Sequence, residues 1–364
     1  MSQEVVGINP HRIRSLQVLR GFAACAVVYD HAVQRVGITW NEHTRIGDWL
    51  AWLGTSGVDL FFLLSGFLMT WLHMNQFGTG ASLNFFSRRL VRIAPLYWVL
   101  TAIGVLLLVL FPASFSVAHQ QVTWTWLAGT FLFLPLDLPH ILTVGWTLDY
   151  EMYFYVLFTC ALFFRRGLIF LAVFLLASFG AGLLLDFQHP WLKLASSFFL
   201  LEFLTGLGVA VLLIRVRLPV VLGWVLLFVG LGVLLTSDRL GITWRYAAFG
   251  IPCAMILTGC LVIGFRCDGF MGRKLSLIGD ASYSIYLFQA FSIPVAAYAL
   301  RMMGLGRLPP DPLAVAIAIL GCIGGMLCWL LLEKPLTERL RRLVAREPAR
   351  VARPIDGQVH VRTR

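Results

Sequence analysis

Charge is what this chain has least of. Asp, Glu, Lys and Arg together make up 13% of its residues, against 59% apolar, and its mean hydropathy is +0.81. That balance excludes a soluble globular domain with an ordinary polar surface. No polar stretch is long enough to build a separate soluble domain, and low-complexity segments and repeats at a fixed period are absent. Metal-site spacing is missing too. Cys25, Cys160, Cys253, Cys260, Cys322 and Cys328 sit in apolar runs, where the thiol behaves as a small hydrophobe. Cys267 is expected at a cytoplasmic helix end, where thiols stay reduced. No metal site is therefore predicted. Residues 1–16 are polar, and no small-residue cleavage site follows a short apolar core, so no cleavable signal is expected.

What is present is a succession of apolar runs of ~20 residues, the length that crosses a ~30 Å hydrocarbon core. The chain reads as an all-α polytopic membrane protein of about ten transmembrane helices. The spans are predicted at 17–36, 56–75, 94–112, 143–164, 167–186, 194–214, 218–236, 244–265, 278–300 and 312–332. The stretch 122–136 is short and rich in Trp and Pro, and reads as an interfacial or re-entrant segment. Three regions follow: an N-terminal segment 1–16, a ten-helix membrane domain 17–333 and a basic tail 334–364.

Lys and Arg in the connections set the expected orientation. Arg12 and Arg14 precede the first span, and Arg88, Arg89 and Arg92 follow the second. Arg165 and Arg166, then Arg215 and Arg217, then Arg266, Arg273 and Lys274 follow the fourth, sixth and eighth. The connection 113–142 has no Lys or Arg. Both termini are thus expected in the cytoplasm. The tail holds nine basic residues against three acids and reads as a short amphipathic piece followed by disorder, touching anionic headgroups. Positives spread in this way account for the net charge of +11 without nucleic acid as a partner.

Ionisable groups inside the spans are costly and need a reason. The first span carries Arg20 near one end and His31 near the other. Eleven residues amount to three turns plus ~20°, so the two share a helix face about 16 Å apart. Gly21, Ala23, Ala24 and Ala26 keep that helix slim enough to pack closely. By depth along their helices, Asp59, Glu151 and Glu202 fall in the same outer half as His31. A carboxylate beside His31 would orient its imidazole for general-base work, and Asp30 is the poorer partner because adjacent residues point ~100° apart. On the inner side, Arg89 and Arg92 stand one turn apart before the third span. With Arg20 they suit a phosphorylated cytoplasmic ligand, and Lys274 and Asp280 are placed to rim that site. Each residue also has a plainer role: Arg20 as a snorkelling anchor, Arg89 and Arg92 as topology signals, His31 as a polar helix end.

These residues sit in recognisable motifs. "LQVLRGFAACAVVYDHA" (16–32), "GVDLFFLLSGFLMT" (57–70), "RRLVRIAPLYW" (88–98), "VGWTLDYEMYFYVLF" (144–158) and "GDASYSIYLFQ" (279–289) occur in order. Together they resemble the integral-membrane acyltransferase 3 family, in particular members that O-acetylate exopolysaccharides and lipopolysaccharide sugars. The resemblance implies acetyl-CoA as acyl donor, held by Arg20, Arg89 and Arg92. It makes His31 the catalytic histidine, with Glu151 a further family acid. The chain departs from that pattern at Gln289, where many members have His, and shows no appended extracytoplasmic hydrolase-like domain.

The implied activity is acyl-CoA-dependent O-acylation of a sugar hydroxyl on an exported or cell-surface glycan, free or lipid-linked. It would take place in the bacterial inner membrane, alongside membrane lipids and polysaccharide assembly machinery. His31 would act as base or nucleophile, oriented by Glu151 or Asp59. Trp40, Trp49, Trp52, Trp124, Trp126 and Trp146 crowd the outer side, where they read as an interfacial belt or as sugar-stacking faces. Two rival classes are a transporter or flippase moving a lipid-linked or small solute, and a non-catalytic scaffold. Paired repeats around midplane breaks would favour the carrier.

Overall fold

The computed structural model describes residues 10–80, 82–112, 123–264 and 270–345. Among these residues the regular elements are all helical. They are α1 (Pro10–Trp40), α2 (Gly47–His73), α3 (Ser82–Leu110), α4 (Trp124–Phe131), α5 (Trp146–Leu162), α6 (Gly167–Leu184) and α7 (Pro190–Ala195). There follow α8 (Phe199–Arg215), α9 (Val220–Thr236), α10 (Ile251–Ile263), α11 (Phe270–Asp280), α12 (Ser282–Met302), α13 (Pro310–Cys328) and α14 (Lys334–Ala345).

Each predicted span falls on a helix, but among the described residues seven segments are long and apolar enough to cross a membrane by length and composition. These contain α2, α3, α6, α8, α10, α12 and α13. The other three fall short for separate reasons. Arg12, Arg14, Arg20, Asp30, His31 and Arg35 dilute the hydropathy of α1. Helix α5 has 17 residues, with Asp149 and Glu151 among them, and α9 is apolar but also only 17 residues long. On α6, Ile169, Phe170, Val173 and Phe174 all point outward. Lipid accepts such a face and water does not.

Helix α1 lies inside the bundle, against α2, α11, α12 and α13. Small residues make that possible, as expected: a Cβ on Gly57 of α2 would come within 2.7 Å of the Ala23 carbonyl oxygen. The α2–α8 crossing is tighter still. A Cβ on Gly66 would lie 2.0 Å from the Phe203 carbonyl oxygen, and one on Gly206 2.0 Å from that of Leu63. Backbone thus meets backbone from both sides.

Two widened helical turns shape the interior. Tyr246–Gly250 and Trp329–Glu333 are π-helical, closed by Ile251 N–H to the Tyr246 carbonyl and by Lys334 N–H to that of Trp329. Each stands just before a proline, Pro252 and Pro335. A proline has no N–H for the helix ladder and crowds the preceding turn, so the helix widens there.

The expected segment boundaries shift at both ends. Residues 10–16 are already helical, as part of α1. The basic tail starts as α14, which packs on α3, while residues 346–364 lie outside the described ones. Within the stretch 122–136, α4 is an eight-residue helix docked on the bundle. Trp126 is buried there and donates to the Pro139 carbonyl at 3.2 Å, and Tyr97 donates to that of Thr130 at 3.0 Å.

Candidate active site

The two ends of α1 border different cavities. At one end Arg20 joins Arg89 and Arg92 of α3, and the three arginines line both a cavity of about 210 Å³ and a deep chamber of about 90 Å³. Spacing explains the convergence: Arg89 and Arg92 sit one turn apart on a single face of α3, turned toward α1. The Arg89 guanidinium lies over the rings of Phe85 and Tyr155, at 5.5 and 6.0 Å, and its Nε is buried without a partner among the described residues.

Glu151 of α5 lines this same chamber. Its carboxylate accepts from Ser65 at 3.1 Å and from the Tyr155 hydroxyl. It lies close enough to Arg20 and Arg89 to offset their charge. Glu333, turned inward at the end of the second π-turn, accepts from Ser284 at 2.5 Å and adds a second buried acid near Arg20 and Arg92. Asp280 is exposed but near enough to Arg20 and Arg92 to interact with them, whereas Lys274 is an exposed residue of α11.

At the other end His31 lines a chamber of about 320 Å³ with Asp30, Thr55, Trp146, Arg245 and Tyr286. Val58 and Tyr286 border this chamber and the deep arginine chamber alike, so the two meet at that wall. Tyr286 is pinned by hydrogen bonds with Thr147 (3.0 Å) and the Val144 carbonyl (3.2 Å). His31, Thr143 and Val144 also border a vestibule of about 720 Å³ that includes Gln34, Arg35 and Gln289. Four cavities, each sharing lining residues with the next, therefore succeed one another from the arginines to His31 and the vestibule. The lip formed by Thr143 and Val144 is braced by His140, whose Nε2 meets Asp149 Oδ2 at 2.8 Å in a buried pair.

This geometry revises three expectations. Glu151 belongs with the arginines and not with His31, because depth along a helix says nothing about which way its side chain faces. Asp59 and Glu202 are fully buried and border none of these cavities; Asp59 instead binds Arg245 at 2.7 Å. The carboxylate that shares the chamber of His31 is Asp30, which accepts from Gln34 (3.0 Å) and Thr55 (3.3 Å). Adjacent residues point apart, but a cavity that wraps part of the helix takes both.

Of the six tryptophans only Trp146 lines the histidine chamber among the described side chains; that of Trp49 lies outside them. Trp52 is tied to Ser237 at 2.8 Å, and Trp124 is 86% exposed. Arg245, Tyr155, Tyr286 and Ser65 escaped the sequence reading. Pro252, which follows the first π-turn, is the available signal for Arg245.

Chemically, the arginine chamber offers guanidinium donors in a half-buried setting, suited to phosphate oxygens. The histidine chamber offers a proton acceptor, a carboxylate, a guanidinium and aromatic rings. Among the described residues no three His, Cys, Asp or Glu side chains group as metal ligands.

Comparison with known proteins agrees with this chemistry. Residues 13–334 match the acyltransferase domain that defines the acyltransferase 3 family. The chain is 31% identical over 317 residues to "Exopolysaccharide production protein ExoZ" of Rhizobium meliloti (strain 1021), covering 82% of this chain and 95% of that protein. It is 29% identical over 157 residues to "Acyltransferase MdmB" of Streptomyces mycarofaciens, covering 40% of this chain and 38% of that protein. No solved structure matches.

Proposed function

This chain belongs to the acyltransferase 3 family, and we propose from that premise that it moves a short acyl group, typically acetyl, from acyl-CoA to a sugar hydroxyl of an exported or cell-surface glycan. The acceptor class draws on the relative named for exopolysaccharide production. The donor assignment draws on Arg20, Arg89 and Arg92, whose convergence, with one buried Nε left unpartnered, fits the phosphates of a CoA. In this reading the Arg20 end of α1 faces the cytoplasm of a bacterial inner membrane.

One observation carries the proposal: a single helix places Arg20 on one chamber and His31 on the next, and the two chambers meet at Val58 and Tyr286. The ~16 Å between them along α1 suits a thin, flexible thioester arm. His31 takes the proton of the acceptor hydroxyl. Glu151 and Glu333 offset the charge of the arginines. Trp146 supplies an aromatic face for the acceptor.

The test is CoA release by the purified protein with labelled acetyl-CoA, with and without deacetylated surface glycan. Acceptor-dependent release that His31→Ala abolishes, in a variant still inserted in the membrane, is the expected result. Release without acetylated glycan, or normal turnover in that variant, overturns the reading. Mass spectrometry of surface glycans from cells with and without the protein should show a shift of one acetyl unit.

A further inference from the structure

Among the described residues that line the chamber of His31, one guanidinium is present, that of Arg245, and its surroundings fix it rigidly. Arg245 stands at the entrance to the π-turn Tyr246–Gly250. Its Nη2 donates to Asp59 Oδ2 at 2.7 Å and to the Thr55 carbonyl at 3.4 Å. The same group lies 4.9 Å from the ring centre of Phe249 and 5.4 Å from that of Phe199. Behind it, Asp59 and Glu202 are fully buried and lie within hydrogen-bonding reach of each other. The Gly66–Gly206 crossing brings their helices together. The arginine side chain is 30% exposed, and its Nη1 has no acceptor among the described residues. Asp59, with Glu202 behind it, thus holds one cation so that its unused edge can face a cavity.

We infer that Arg245 is a catalytic residue that stabilises the oxyanion formed on the acyl carbonyl during transfer, with Asp59 and Glu202 as its positioning residues. The inference rests on the acyl-CoA reading above. In the step, the acceptor hydroxyl gives its proton to His31 and its oxygen bonds to the acyl carbon. The carbonyl electron pair moves onto the carbonyl oxygen, where Arg245 donates to it. The pair then returns, the carbon–sulfur bond breaks, and the thiolate leaves with the proton held by His31. Donors aimed in advance at a developing charge need no rearrangement when it forms, and removal of one such donor typically costs about 10²–10³ in rate. Arg89, Arg92 and Arg20 line the other chambers and do not fill this place. Neither does Arg35, which borders the vestibule.

The experiment uses the full-length protein in nanodiscs, with acetyl-CoA and deacetylated surface glycan. Arg245→Gln is expected to lower kcat about 10²-fold or more while CoA affinity and the KM for glycan stay within twofold. Arg245→Ala is expected to regain at least tenfold activity when guanidinium ion is supplied at a non-denaturing concentration. A second readout needs no turnover: acetyl-CoA labelled at the carbonyl and bound to His31→Ala protein should show a lowered carbonyl stretch. That shift should vanish when Arg245→Gln is added. An unchanged kcat in folded Arg245→Gln overturns the inference. So does a raised glycan KM at constant kcat, which would make Arg245 a receptor for an anionic group of the acceptor. Loss of activity with neither guanidinium rescue nor a carbonyl shift also overturns it, leaving a structural arginine. If the wild-type protein releases no CoA, the underlying function falls first, and the two failures stay distinct.

Discussion

Arg20 and His31 share one helix face but open onto different chambers, and Tyr286 of α12 belongs to the wall of both. The two chambers are neighbours across Val58 and Tyr286, and in the proposed function the acyl arm passes there. Filling that place should separate binding from transfer. Val58→Trp adds bulk at the shared wall without touching an arginine or His31. CoA affinity, measured by calorimetry, should stay within twofold while acyl transfer falls at least tenfold. Equal transfer in the variant would mean that the two chambers do not communicate there.

The arginines should govern donor affinity. Arg89→Ala and Arg92→Ala each remove a charged hydrogen-bond donor, worth about 1.5–3 kcal/mol, so CoA should bind roughly 10–100-fold more weakly. Arg89→Lys should recover only part of this, because an ammonium lacks the planar fork and the stacking on Phe85 and Tyr155. Raised salt should weaken wild-type binding in the same direction. Unaltered CoA affinity in both alanine variants would return these residues to topology signals.

Glu151 offers a sharper contrast between depth and direction. Glu151→Gln should tighten CoA binding by unmasking the charge of Arg20 and Arg89, while leaving the pH profile of turnover unchanged. A carboxylate that oriented His31 would instead shift that profile on removal. Kinetics at several pH values decide between the two places.

Buried charge predicts stability. Asp59→Ala removes the buried carboxylate that binds Arg245 at 2.7 Å and should lower the melting temperature in detergent. The double variant Asp59→Leu with Arg245→Met should be less destabilised than Asp59→Ala alone, by thermal melting in detergent. Near the same crossing, Gly66→Ala places a methyl group 2.0 Å from the Phe203 carbonyl oxygen. Backbone cannot step aside as a side chain does, so α2 and α8 must part. A melting temperature within a degree of wild type in Gly66→Ala would contradict that contact.

These outcomes also mark what the sequence reveals about the molecule. The helices were legible because apolar runs of membrane length announce themselves, and the arginine cluster because Arg89 and Arg92 stand one turn apart with Arg20 at matching depth. The small face of α1 was legible in Gly21, Ala23, Ala24 and Ala26. What stayed hidden was azimuth. Asp59, Glu151 and Glu202 lie at similar depths, yet one face points at arginines and another at Arg245. The packing of α2, α5 and α8 decides this, and the partners lie beside π-turns elsewhere: Arg245 and Glu333 flank the widened turns ahead of Pro252 and Pro335. Their prolines are visible in the chain, but the packing is not. Asp30 was discounted by a rule about neighbouring residues that holds for a flat partner surface and fails for a curved cavity.

The central claim is that an acyl group taken from a donor at the Arg20 end is delivered at the His31 end. The most direct measurement reconstitutes the protein in liposomes of determined orientation. Labelled acetyl-CoA is given only at the Arg20 face, and deacetylated glycan is enclosed at the His31 face. The account predicts label on the enclosed glycan with the wild-type protein and none with His31→Ala. Transfer only when donor and acceptor share one side, or wild-type rates in His31→Ala, would contradict it.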